Sequence, residues 1–262
     1  MVHREDVIRL RGLAKRYGEV EAVRGLDLEI PTGQLLALLG PNGAGKSTTV
    51  KMLTGMLPPT TGTAEVFGFD VVREPVRVKE IVGYVPESGA VFETLTGWEY
   101  LHLVAALYRL PEDETSARIR RFAEFFELSD RTLRREQLGA YSKGMRQRVV
   151  ITAALLHNPR AIFFDEPLNG LDANATLGFK ALIGSLAREG TTIVYCSHLL
   201  DVVERICDRV VIIHHGRVVA DGSLAELQAQ TGEASLERAF NRLTASEHLL
   251  ARAESFARAL VR

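Results

Sequence analysis

The chain has 262 residues, 46% of them apolar and 25% charged, with a formal net charge of -1; this is the balance of a folded globular protein and excludes a disordered one. Near-neutral charge gives no general pull toward nucleic acid or an anionic membrane surface, so no nucleic-acid partner is expected and recognition must be local. Two cysteines, Cys196 and Cys207, make no disulfide framework, and with neither a secretory leader nor a run near the ~20 apolar residues that cross a bilayer, an intracellular chain that does not itself span a membrane is expected.

Apolar spacing over residues 7–10, 20–23 and 26–30 predicts strands, broken by Gly12, Gly18, Gly25 and Pro31-Thr32. Residues 34–39 form a nearly continuous apolar run ending at Gly40, the pattern of a strand buried on both faces of a parallel sheet. After Lys46, the spacing of Val50, Leu53, Met56 and Leu57 predicts a helix, stopped by Pro58-Pro59 before a turn at Thr60-Thr61-Gly62. Residues 81–85 read as another strand. From Gly97 to about Asn158 apolar residues recur at helical spacing, with Pro111 starting a new helix.

Alternation then resumes: strand 161–164, helix 173–188, strand 192–197, helix 199–206 and strands 209–213 and 217–220. From Ser223 the tail reads as helical, and Leu249, Ala253, Phe256 and Leu260 fall on one face. The expected fold class is α/β, with an antiparallel β part at the start, an all-helical insertion at about 88–158 and a helical tail over 223–262 following a core unit of 1–222.

The strand–loop–helix at Gly40-Pro41-Asn42-Gly43-Ala44-Gly45-Lys46-Ser47-Thr48 fits a phosphate-binding loop. Its glycines let backbone N–H groups approach phosphate oxygens, Lys46 reaches the β and γ phosphates, and Ser47 is placed to ligate Mg²⁺. A second site is the strand 161–164 running into Asp165-Glu166, two carboxylates at the carboxyl edge of the sheet. Asp165 would hold Mg²⁺ through water, and Glu166 would accept a proton from, or orient, an attacking water. Between them, Ser142 and Gly144 stand at the start of a predicted helix whose N–H groups could bind a phosphate, although Ser142 alone would be a plain helix cap.

In this order of motifs, through Asn169-Gly170-Leu171-Asp172 and His198, the chain resembles the nucleotide-binding subunits of ABC transporters over about residues 5–225. The resemblance implies an ATP-binding-cassette ATPase of P-loop fold using ATP and Mg²⁺. Ser142 and Gly144 would contact the γ phosphate of ATP held by a second cassette, in a head-to-tail homodimer. Asn169, Gly170, Leu171 and Asp172 would cross the dimer interface, and His198 would contact the γ phosphate and position Glu166. Tyr17 matches the family's adenine-stacking aromatic.

Two departures stand out. Glu87 occupies a position where many members have a glutamine that contacts Mg²⁺, and the usual Leu-Ser-Gly-Gly-Gln reads Tyr141-Ser142-Lys143-Gly144-Met145. With the tail segment Leu236-Glu237-Arg238-Ala239-Phe240, they resemble the branch that serves drug, antibiotic or polysaccharide exporters, in which a separate transmembrane permease would hold the cassette at the cytoplasmic face. Glu87, Phe92, Leu95 and Trp98 are expected to dock that permease, packing inside the helices being the other reading of Phe92 and Trp98. A soluble ATPase without a transport role and a nucleotide-binding module without turnover are the alternatives.

Overall fold

The computed structural model describes residues 7–244. The chain opens with strands β1 (Val7–Tyr17) and β2 (Val20–Pro31), followed by β3 (Leu35–Leu39), helix α1 (Lys46–Leu53), β4 (Thr61–Val66), β5 (Phe69–Asp70), α2 (Pro75–Ile81) and β6 (Val82–Val85). Four helices come next, α3 (Gly97–Leu107), α4 (Glu112–Phe125), α5 (Asp130–Arg135) and α6 (Lys143–Leu155). Then follow β7 (Ala161–Asp165), α7 (Ala173–Arg188), β8 (Thr192–Cys196), α8 (Leu200–Ile206), β9 (Arg209–His214) and β10 (Arg217–Gly222), and the described tail is α9 (Leu224–Thr231) and α10 (Leu236–Leu243). The stripe of Leu249, Ala253, Phe256 and Leu260 lies outside the described residues.

The α/β class with a leading antiparallel sheet and inserted helices holds, but several elements differ from the spacing-based expectation. β1 and β2 run on through Gly12 and Gly25, and register shifts along β1 absorb the irregularity that the glycines mark. A strand replaces the expected turn at Thr60-Thr61-Gly62: β4 shows no alternation at its start because Thr61, Gly62 and Thr63 are all exposed. Ile81 ends α2 rather than beginning a strand. α1 stops at Leu53 because the chain turns at Gly55, where the Met56 and Leu57 amides both donate to the Lys51 carbonyl, at 3.0 and 3.1 Å. Met56 is therefore exposed beyond the helix.

The strands form a four-stranded sheet of order β2-β1-β4-β5 and a six-stranded sheet of order β10-β9-β3-β8-β7-β6. In the larger sheet β9, β3, β8, β7 and β6 are parallel and β10 is an antiparallel edge. β3 lies between β8 and β9, its five residues are all buried, and successive side chains alternate between two apolar layers. Leu36 and Leu38 pack with Val50, Met52 and Leu53 of α1 and with the inner face of the four-stranded sheet. Leu35, Ala37 and Leu39 pack on the other side with residues of α6, α7 and α8. Phe163 and Phe164 of β7 divide between the layers in the same way, both wholly buried; truncating such a side chain to alanine costs about 3–5 kcal/mol. The carboxyl ends of β3, β7 and β8 consequently emerge side by side, and three loops meet there.

Candidate functional site

The first loop, residues 40–48, leaves β3 and enters α1. Its turn depends on Gly45, the N-cap of α1, whose φ of 109° is open to glycine and costly for other residues. No side chain caps this helix, so its leading amides face the loop as anion donors with the helix dipole behind them. Lys46 is buried, and its Nζ donates to the carbonyls of Gly40 at 2.6 Å and Pro41 at 3.2 Å. Behind the loop, the Gly216 amide donates to the Ala44 carbonyl at 3.0 Å and the Arg24 amide to the Gly216 carbonyl at 2.8 Å. The turn between β9 and β10 thus braces the loop against β2.

β7 delivers the carboxylates. Asp165 is buried and accepts a hydrogen bond from Ser47. Burial pushes its carboxyl above the ordinary aspartate value, the Ser47 bond opposes the rise, the charge of Glu87 adds to it and that of Lys46 works against it. Glu166 follows with φ 51°, the left-handed region that is uncommon for a side-chain-bearing residue. Its amide donates to the Cys196 carbonyl at 2.9 Å, which pins the turn to the end of β8. The loop after β8 supplies the partners of its carboxylate: His198 Nδ1 lies 2.9 Å from Glu166 Oε2, and Ser197 Oγ donates to the same oxygen at 3.3 Å. The Glu166 side chain is 12% exposed and that of His198 63%, so a shielded carboxylate is held by an imidazole that reaches outward.

These groups share one cavity of about 980 Å³, lined by residues 40–48, Glu87, Asp165, Glu166, Ser197 and His198, with β2 residues on one side. Gly40, Pro41, Asn42, Gly43, Ala44, Gly45, Lys46, Ser47 and Thr48 are therefore brought together with Glu87, Asp165, Glu166 and His198. Oxygen donors dominate the end near Ser47, and a hydroxyl with nearby carboxylates is the donor set that suits Mg²⁺. His215 and Phe240 also reach the cavity wall; sequence spacing carries no signal for either, because turn and tail arrive there only through the fold.

Other expected site residues lie elsewhere. Tyr17, at the end of β1, is exposed, with Lys15 Nζ 5.5 Å from its ring centre, and is not on the cavity wall, which Val20, Glu21, Ala22 and Arg24 of β2 supply on that side. Ser142 caps α6 by accepting from the Met145 amide at 3.2 Å. A Cβ on Gly144 would fall on the carbonyl oxygen of Gly170, so this glycine lets the start of α6 abut the loop that follows β7. In that loop Asp172 caps α7, accepting from the Ala175 amide at 2.8 Å, and pairs with Arg148 of α6. Gln147 Nε2 donates to the Pro167 carbonyl at 3.1 Å. Gln147 and Arg148 thus tie α6 to the segment holding Asn169, Gly170, Leu171 and Asp172, a role that only the assembled contacts reveal.

A separate groove of about 680 Å³ runs between the core and the inserted helices, lined by Met56, Tyr84, Glu87, Tyr100, Val104 and Tyr108 among others. Phe92 is exposed near it, whereas Trp98 is packed within the helices: Arg134 Cζ lies 3.4 Å from its ring centre and the His102 ring 4.7 Å away.

The family described as ABC transporter matches residues 23–169. The ABC transporter ATP-binding protein NatA of Bacillus subtilis is 39% identical over 227 residues, 84% of this chain and 91% of NatA. The daunorubicin/doxorubicin resistance ATP-binding protein DrrA of Streptomyces peucetius is 39% identical over 225 residues, 86% of this chain and 68% of DrrA. The chain spans less than two thirds of uncharacterized ABC transporter ATP-binding proteins of Synechocystis (58%) and Nostoc (62%). Among solved structures, an ATP-binding subunit of an ABC transporter superposes with a TM-score of 0.85 at 33% identity, covering 91% of this chain and 99% of that one. The dimeric cassette MJ0796 superposes at 0.77 with 27% identity, covering 83% of this chain and 98% of that one.

Proposed function

Because the chain belongs to the ABC transporter family and is an ATP-binding ATPase, we propose that it powers export through a separate transmembrane permease, as one of two identical cassettes at the cytoplasmic membrane face. The observation that carries the hydrolytic part is the 2.9 Å pair of Glu166 and His198 facing residues 40–48 across one cavity. Residues 1–222 form the cassette in this reading, and the segment from Ser223 is an accessory tail.

The amides of residues 40–48 and Lys46 bind the phosphates of ATP and offset charge that builds on the transferring phosphoryl group. Ser47 and Asp165, with Glu87 beside them, would hold Mg²⁺, which supplies further charge neutralisation when bound. Glu166 orients the attacking water and takes its proton, and His198 holds the Glu166 carboxylate and reaches the γ phosphate. Tyr17 supplies a face for adenine. Ser142 and Gly144 of a second chain complete the site, and Asn169, Gly170, Leu171 and Asp172 lie along the contact between chains. Dimer formation in the superposable MJ0796 cassette supports this arrangement.

Export is favoured by the likeness to DrrA. The groove beside Glu87 and Tyr100 offers the permease an apolar slot that shares Ser47, Glu87 and Asp165 with the larger cavity, so a partner seated there would touch residues that also line the proposed nucleotide site.

Glu166→Gln keeps the size and hydrogen bonding of the side chain but removes the base. Turnover of the purified chain should fall by roughly 10²- to 10⁴-fold while ATP binding persists, and gel filtration in MgATP should show a dimer. Wild-type turnover in this variant would overturn the assignment.

A further inference from the structure

The cavity that holds the Glu166 and His198 pair is built mostly from the first part of the chain and from the loops after β7 and β8, yet Phe240 of α10 also lies on its wall, together with Leu200 and His198. α10 is firmly mounted. Leu236 and Ala239 are wholly buried, and Leu236 belongs to the same apolar layer as Val202 and Val203 of α8. The Leu236 amide donates to Glu204 Oε1 of α8 at 2.6 Å. Arg242 closes the other end, donating to the Thr231 carbonyl at 2.6 Å, and thereby fixes α10 to α9.

α8 begins at Leu200, two residues after His198, so the element that α10 grips is the one that carries the outward-reaching imidazole. Among the described residues His198 pairs with Glu166, and most of its side chain is exposed. Phe240 and His198 line the same cavity, and an apolar ring on that wall takes up space open to the imidazole and lowers the local dielectric, which strengthens the pair with Glu166.

We propose that Phe240 is a positioning residue for hydrolysis: the tail helix, latched to α8 through Leu236 and Glu204, presents the Phe240 ring as the wall that keeps His198 aligned with Glu166. The inference rests on the roles proposed above for Glu166 and His198. It makes α10 a working part of the ATPase site, so chemistry at the nucleotide and the position of the tail become linked.

The test uses the full-length purified chain and ATP as the probe, with steady-state turnover, fluorescent-nucleotide binding and thermal melting measured together. Phe240→Ala should lower kcat roughly tenfold, a fraction of the ~10²-fold that a 1 Å misplacement can cost, with KM for ATP and nucleotide affinity unchanged. Phe240→Leu, which retains an apolar wall, should recover most of the loss. Glu204→Ala removes the latch from an exposed position without touching the wall, and should lower kcat several-fold at constant KM even if the alanine variant at 240 does not fold. Unchanged kcat in Phe240→Ala and Glu204→Ala, or a rise in KM at constant kcat, would overturn the proposal. Glu166→Gln run alongside separates the two levels: full turnover there defeats the site assignment itself, while its loss with unaffected Phe240 and Glu204 variants defeats only the role of the tail.

Discussion

Glu166 carries two demands that pull apart. Its φ of 51° is costly for a residue with a side chain, and its carboxylate is nearly shielded from solvent. What holds it is a set of contacts to the end of β8: its amide on the Cys196 carbonyl and its carboxylate on Ser197 and His198. A strained residue kept in place by its surroundings fits the catalytic role proposed for Glu166. Gly144 shows the opposite economy, a residue that matters for what it lacks. Since a Cβ there would land on the Gly170 carbonyl, Gly144→Ala should push the loop holding Asn169 and Asp172 away from α6 at a cost of about 1–3 kcal/mol. Calorimetry should show melting lowered by several degrees, given ~2–4 °C per kcal/mol at this size, and gel filtration in MgATP should show less dimer; an unshifted melting curve would mean that the loop yields freely.

Elements differed in how plainly the sequence announced them. The phosphate loop was readable because β3 is buried on both faces and so reads as an unbroken apolar run that stops at Gly40. β4 was not, since its first three residues are exposed and its partners along β1 are far away in sequence. The acid pair and His198 could be placed at strand ends, but the links of Gln147 and Arg148 to the loop after β7 could not, because a helix position does not disclose which loop it will meet. The junction of α3 and α6 is of this second kind. The Tyr108 and His157 rings stack with centroids 3.7 Å apart and 8° between planes, and His157 Nε2 donates to the Val82 carbonyl at 3.0 Å. Burial lowers the His157 pKa, the Val82 bond opposing this and Arg118 adding to it. The folded chain therefore binds this proton less readily than the unfolded chain. The resulting stability is complete above the ordinary histidine value of about 6.5 and is lost as pH falls toward the lower folded value. Melting curves from pH 7.5 to 5 should show the advantage of wild type over His157→Phe shrinking on acidification; parallel curves would show that His157 stays uncoupled from the proton.

At the scale of the molecule, two apolar layers back the central sheet, and the inserted helices lean on one of them to leave the groove of Tyr84, Tyr100 and Met56. Among the described residues no helix is long and apolar enough to cross a membrane, and the groove is where we propose that a permease docks. Met56 is 57% exposed at the groove, so a charge there is tolerable in the free chain and unwelcome under an apolar partner. Met56→Glu should leave ATP turnover of the isolated chain within twofold of wild type, roughly what a surface substitution of under 0.5 kcal/mol allows, while co-purification of a multispanning membrane protein is lost. Retained co-purification would move the docking face elsewhere.

The bracing of the phosphate loop has a consequence for how the protein is made. Residues 40–48 leave the ribosome ahead of their supports: β3 is flanked by β8 and β9, and the loop's rear support comes from Gly216. A growing chain holds the phosphate-binding sequence long before it holds the neighbours that shape it. Nucleotide capture should therefore begin only after β8, β9 and the turn at Gly216 have emerged, and chains terminated before that turn should not compete for ATP.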